Sequence, residues 1–73
     1  MSFEKYFAHC VYNARKRAGL TQVQVANALS ISLRWYQRIE HGDNLPGAVI
    51  LIKIMLLLDI DINCFKKYLC DEY

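Results

Sequence analysis

The stretch that decides the fold is TQVQVANALSISLRWYQRIEHG, residues 21–42. It falls into two short pieces. In the first, Val25, Ala26 and Leu29 recur at helical spacing and form one apolar stripe. Ser30, Ile31 and Ser32 interrupt that pattern. In the second, Tyr36 and Ile39 share one side, while Arg34, Trp35 and Arg38 crowd the rest. Thr21 and Ser32 carry hydroxyls that can accept from the free N–H groups of a first helical turn, so each is an expected N-cap. Gly42 supplies the expected stop. The spacing predicts helices over 22–29 and 33–41 joined by a three-residue turn.

Working outward, Phe3, Phe7, Cys10 with Val11, Ala14 and Ala18 form the stripe of an amphipathic helix over about 3–18, capped by Ser2 and ended by Gly19. Arg15, Lys16 and Arg17 fall in its last turn, where the helix dipole favours cations. After a loop at 43–47 a fourth helix is expected from about 47 to 58. A last helix is expected over about 61–70 from Asp59 or Asp61, with Ile62, Phe65, Tyr68 and Leu69 on its apolar side, before Asp71, Glu72 and Tyr73 fray. No segment alternates as a strand does. The 73 residues therefore read as one all-α domain, 1–73, whose core can supply only about 3–5 kcal/mol of net stability.

Composition excludes several classes. The three cysteines, Cys10, Cys64 and Cys70, form no pair at zinc-ligand spacing, and their odd number fits a reducing compartment. His9 and His41 lack ligand companions, so neither a metal nor a cofactor is expected. There is no nucleophile–base pair and no glycine-rich phosphate loop, so no catalysis is expected. The longest apolar run, Ala48 to Leu58, is broken by Lys53 and falls short of the ~20 residues a membrane span needs. A cytoplasmic protein without membrane attachment is expected.

The net charge of +2 conceals a polarised chain. Residues 5–39 contain no acid and carry +6, whereas residues 40–73 carry −3. A basic segment of this kind is the electrostatic mark of a polyanion binder. The short helices and their turn match a helix-turn-helix, with Ala26 small enough to let the helices cross and Ile31 plugging the turn. With Tyr36 and Ile39 inward, Leu33, Arg34, Gln37 and Arg38 share the opposite face. That set suits the DNA major groove: arginine can donate twice to guanine, glutamine pairs with adenine, and an apolar group meets the thymine methyl.

The segment RKRAGLTQVQVANALSISLRWYQRIEHGDNLP resembles the lambda-repressor-like helix-turn-helix family, also called the Cro/repressor or XRE family. Arg15, Gly19, Leu20, Thr21, Gln22, Ala26, Ser32, Ile39, Glu40, Gly42 and Pro46 occupy the family's positions, and the likeness covers about residues 11–65. The resemblance implies a compact five-helix bundle that binds double-stranded operator DNA, usually as a homodimer, with 33–41 as recognition helix. It assigns Gln22 to a DNA contact at the start of helix 2, and Leu33, Arg34 and Arg38 to base reading, with Gln37 as a fourth contact. It places Trp35 where relatives have a short polar residue touching phosphate. It makes Arg15 and Glu40 a structural ion pair. Lys16, Arg17 and Asn44 are further candidates for phosphate contact. Two positions depart from the family pattern: Ser30 replaces a turn glycine, and Tyr36 replaces an aliphatic core residue.

Helix 4 is apolar nearly all round, which a bundle of this size cannot bury on every side. Val49, Ile50 and Leu56 are therefore candidates for a homodimer interface. A dimer would read a pseudo-palindrome. The expected function is sequence-specific DNA binding by a transcriptional regulator, a repressor of phage, mobile-element or bacterial type. Two alternatives stay open: an antitoxin with a toxin partner, and a protein-interaction module that has lost DNA binding.

Overall fold

The computed structural model describes residues 2–66 and 68. Its elements in chain order are α1 (Phe3–Ala18), α2 (Gln22–Leu29), α3 (Leu33–His41), α4 (Ala48–Leu57) and a 3-10 turn (Ile62–Phe65). The first three helices have the bounds the sequence predicts, because each end carries its own capping chemistry. Ser2 Oγ accepts from Lys5 N at 3.3 Å, and Ser32 Oγ accepts from Trp35 N at 3.1 Å. Thr21 and Gln24 form a reciprocal capping box at 3.1 and 2.8 Å. Gly19 and Gly42 close α1 and α3 in the left-handed conformation.

Ser30 ends α2 at φ 59°, in the backbone region the family's glycine would occupy without penalty. A side chain there costs roughly 1–2 kcal/mol. The turn is held all the same: Ser30 N–H donates to Asn27 O at 3.1 Å, and Ile31 N–H donates to Ala26 O at 3.0 Å. Gly42 is required for two reasons. Its φ is +86°, and a Cβ there would stand 2.6 Å from Lys5 Cδ, because α1 crosses the end of α3 at that point. Lys5 Nζ donates to His41 O at 3.2 Å across the same crossing.

The core joins Phe7, Val11 and Ala14 of α1, Val25, Ala26 and Leu29 of α2, Tyr36 and Ile39 of α3, and Ile54 of α4, closed by Leu58, Ile60 and Phe65. Ala26 is buried, as a helix crossing demands, and Ile31 is half-buried against the same cluster. Trp35 also packs on it with part of its surface.

The fifth helix needs correction. Among the described residues there are four α-helices, and the expected helix over 61–70 begins as a 3-10 turn instead. Asp61 caps that turn by accepting from Asn63 N at 2.9 Å, only two residues on, which tightens the chain beyond α-helical pitch. The Tyr6 hydroxyl donates to Cys64 O at 2.7 Å and anchors the turn to α1. Phe65 stacks on Phe7, and Tyr68 stacks on Tyr6 with ring centroids 5.0 Å apart. Ile62, expected on the buried side, is exposed. The expectations for Leu69 and for fraying at 71–73 lie outside the described residues. No helix among the described residues is long and apolar enough to cross a membrane.

Candidate nucleic-acid interface

The α3 helix turns about 100° per residue. With Tyr36 and Ile39 buried, that pitch leaves Leu33, Arg34, Gln37 and Arg38 exposed along the other side. Arg34, Gln37 and Arg38 line an open groove with Tyr12, Gln22, Glu40, His41 and Asp43. Among the described residues the side chains of Arg34 and Arg38 make no hydrogen bond or ion pair within the protein, so their guanidinium donors face solvent. Trp35 flanks them, bordering a shallow depression with Ser32, Arg34 and Arg38 while packing inward on the core.

Behind this face stands a polar network. The Arg15 guanidinium grips Glu40 with two bonds, Nε to Oε2 at 2.9 Å and NH2 to Oε1 at 2.8 Å, and donates a third to Leu20 O at 2.9 Å. Both side chains are nearly buried, at 10% and 4% exposure. This is the structural pair that the resemblance implies. Burial alone would push the Glu40 carboxyl up. Hydrogen bonds from Arg15 and Gln22 and the nearby Tyr36 hydroxyl outweigh it and hold the group below its ordinary value. The bond to Glu40 raises Arg15 further, against the opposing effect of burial. Burial, reinforced by Glu40, raises the Tyr36 phenol. Its hydroxyl lies close enough to feel both charges, yet meets no partner at hydrogen-bonding geometry.

The network continues outward to the groove. Gln22 Nε2 donates to Glu40 Oε1 at 3.2 Å, and Gln37 Nε2 donates to Gln22 Oε1 at 3.2 Å. A chain of four side chains thus runs from the α1 interior to the α3 surface.

The remaining candidates separate. Lys16 shares a depression with Arg15, Thr21 and Gln22, beside the start of α2. Arg17, one residue on, borders a different one with Asp59 and Asp61. Of the two, only Lys16 borders the depression at the start of α2. Asn44 is half-buried in the loop after α3, and its neighbour Asp43 lines the groove instead. Sequence reasoning missed Tyr12. Its ring lies 5.5 Å from the Arg15 guanidinium carbon and 6.0 Å from Lys16 Nζ, within cation–π range. The i, i+3 and i, i+4 spacings from Tyr12 to those cations were the signal for it.

Of the interface candidates, Val49 and Leu56 are exposed at 66% and 77%, whereas Ile50 is half-buried against the core. The exposed apolar stripe is Val49, Ile52 and Leu56. Ile62 continues it, bordering a depression with Ile52 and Leu56. Ile52 and Ile62 were not among the sequence candidates.

A short helix with unpaired cations outward, braced by a second short helix across a three-residue turn, defines a DNA-binding domain of the helix-turn-helix class. The chain belongs to the XRE-type helix-turn-helix family, whose model matches residues 11–63. It is similar to the cryptic phage CTXphi transcriptional repressor RstR of Vibrio cholerae serotype O1, with 41% identity over 51 residues, covering 70% of this chain and 46% of that protein. It is also similar to the ImmF control region 10 kDa protein of Bacillus phage phi105, at 34% identity over 56 residues, covering 77% of this chain and 62% of that protein. The matched segment thus spans about half to three-fifths of the length of these relatives. No solved structure matches the chain.

Proposed function

We propose that this chain is a sequence-specific, double-stranded DNA-binding transcriptional regulator of phage or mobile-element type that acts as a repressor in the cytoplasm. It reads the major groove with α3. The observation that carries this reading is the pair Arg34 and Arg38, one helical turn apart, solvent-facing and unpaired, on the helix that the Arg15–Glu40 pair fixes in place. Each arginine can donate two bonds to a guanine edge. Leu33 stands at the start of the same face, ready for a thymine methyl. The likeness to a phage repressor supports repression over activation.

Phosphate contacts come from Lys16 and from the free N–H groups at the start of α2, where the helix dipole attracts anions. Gln22, Trp35 and Asn44 flank that backbone path. The homodimer forms through the exposed stripe of α4, with Val49 and Leu56 at its centre. Its two recognition helices sit about 34–36 Å apart on a pseudo-palindrome.

Selection from random duplexes tests this directly. An enriched palindrome is expected, with binding that weakens steeply as salt rises because phosphate contacts release counterions. Arg34→Ala or Arg38→Ala should each cost about 1–3 kcal/mol and relax one base position, while Lys16→Ala weakens all sequences alike. No enriched site, together with duplex binding by the Arg34/Arg38 double variant equal to the parent's, would sink the reading.

A further inference from the structure

The DNA reading makes no use of the cysteines, yet two of the three meet in the fold. Cys10 lies on α1, and Cys64 lies in the 3-10 turn near the other end of the chain. The Tyr6 hydroxyl holds Cys64 O at 2.7 Å, and Cys10 follows Tyr6 by one helical turn on the same side of α1. That bond carries Cys64 onto the stretch of α1 from which Cys10 projects. Both cysteines line one open cavity, with Asn13, Arg17, Asp59 and Asp61 forming its polar rim. Each is half-buried, packed against the core on one side and reachable from the cavity on the other. Burial pushes the Cys10 thiol up to about 11, and the Cys64 thiol beside it adds to the rise. Burial, and after it these same two thiols, also raises the Tyr6 phenol.

A pair of thiols that a fold holds together in a reduced chain is the material of a transient redox site. We propose that Cys10 and Cys64 form a dithiol site for hydrogen peroxide, closed by oxidation into a disulfide that fastens the 3-10 turn to α1. Cys64 reacts first, because only a thiolate attacks and Cys10 is held as the neutral thiol at pH 7. The Cys64 sulfur attacks one peroxide oxygen. An S–O bond forms, the O–O bond breaks, and the departing hydroxide takes up the proton that the thiol gave up. The Cys10 sulfur then attacks the sulfenic sulfur of Cys64. The S–S bond forms, the S–O bond breaks, and hydroxide leaves as water with the Cys10 proton. One peroxide is thereby reduced to two waters while the two sulfurs give up two electrons. The cavity shares no residue with the groove that Arg34 and Arg38 line, so this site stands apart from the DNA reading.

The test uses the full chain, reduced and then treated with a small molar excess of hydrogen peroxide at pH 7. The intact mass should fall by two hydrogens and recover with dithiothreitol. Trypsin leaves the three cysteines on three different peptides, which identifies the linked pair. The folded protein should yield Cys10 joined to Cys64. In urea the unfolded chain should instead favour Cys64 joined to Cys70, because the shorter loop closes at lower entropic cost. Oxidation should raise the thermal midpoint of the folded chain by about 10 °C or more, as a cross-link over a long loop does, and reduction should return it. In a Cys70→Ser background, Cys10→Ser should stop at a Cys64 sulfenic acid that dimedone traps.

A folded chain that links Cys64 to Cys70, or that links only between molecules, overturns the proposal. So does a folded chain that keeps its mass at the dose that oxidises the unfolded one. A midpoint that falls when the bond closes also overturns it, because the bond would then distort the fold instead of fastening the turn. These outcomes are read on the unmutated chain and do not depend on whether a serine variant folds.

Discussion

Residues 3–42 and residues 48–66 make their structure by different means. The first region is specified by directed polar contacts: three side-chain N-caps, two left-handed glycines, a buried ion pair and a chain of amides. The second relies mainly on apolar contact, its directed side-chain bonds being confined to the Asp61 cap and the Tyr6–Cys64 bond at the 3-10 turn. Its helix α4 has no side-chain cap, and its buried apolar members Ile54, Leu58, Ile60 and Phe65 are held by packing. The comparison teaches a division of labour. Hydrogen bonds and charge fix angles and register, which a reading surface needs. Apolar burial is non-directional and closes the core, leaving its surplus as the exposed stripe of Val49, Ile52 and Leu56.

If the first region does depend on its polar network, Glu40→Ala should be the most damaging change. It strands the Arg15 guanidinium in a site where it is nearly buried, at a cost of about 3–5 kcal/mol by urea unfolding. The same pair predicts acid sensitivity. The folded Glu40 carboxyl lies below its ordinary 4.5, so its contribution is complete above that pH and lost as pH falls through the lower folded value. A stability profile against pH should show that acid limb in the parent, and it should be weaker in Glu40→Gln.

Gly42→Ala comes next, at roughly 2 kcal/mol, since it combines a strained left-handed backbone with a clash against Lys5. A smaller effect of opposite sign is expected at the turn. Ser30→Gly should stabilise by up to about 1 kcal/mol, because the left-handed strain at φ 59° is relieved while glycine's extra chain entropy takes back part of the gain. The smallest effect on folding belongs to the apolar half. Leu56→Asp should leave monomer stability within about 0.5 kcal/mol, as exposed positions do. It should nevertheless shift the solution mass from dimer to monomer. A large loss of stability in Leu56→Asp would mean that the stripe belongs to the core, and the division drawn above would fail.

The sequence disclosed these regions unequally. The first three helices were legible to the residue because Ser2, Thr21, Ser32, Gly19 and Gly42 are local signals, each acting within one turn of its own position. The outward face of α3 was legible from the inward demand of Tyr36 and Ile39. The link from Gln22 to Gln37 was not. The two residues are fifteen apart, and their contact depends on how α2 crosses α3. The 3-10 turn at Ile62–Phe65 was also hidden, because the Tyr6 hydroxyl that anchors Cys64 comes from the other end of the chain. The exposure of Ile52 could not be read from an apolar run that gives no preference to any side, and Ile62 was placed on the buried side by an α-helical pitch that the 3-10 turn does not keep.

The unpaired state of Arg34 and Arg38 has an evolutionary consequence. Substitutions there cost the fold almost nothing, so a lineage can sample new operator preferences at both positions without passing through unstable intermediates. Gln37 has less freedom, because its partner is tied in turn to the buried ion pair. Under the proposed reading of DNA by α3, drift in target sequence should run faster at bases that face the two arginines than at any base that faces Gln37.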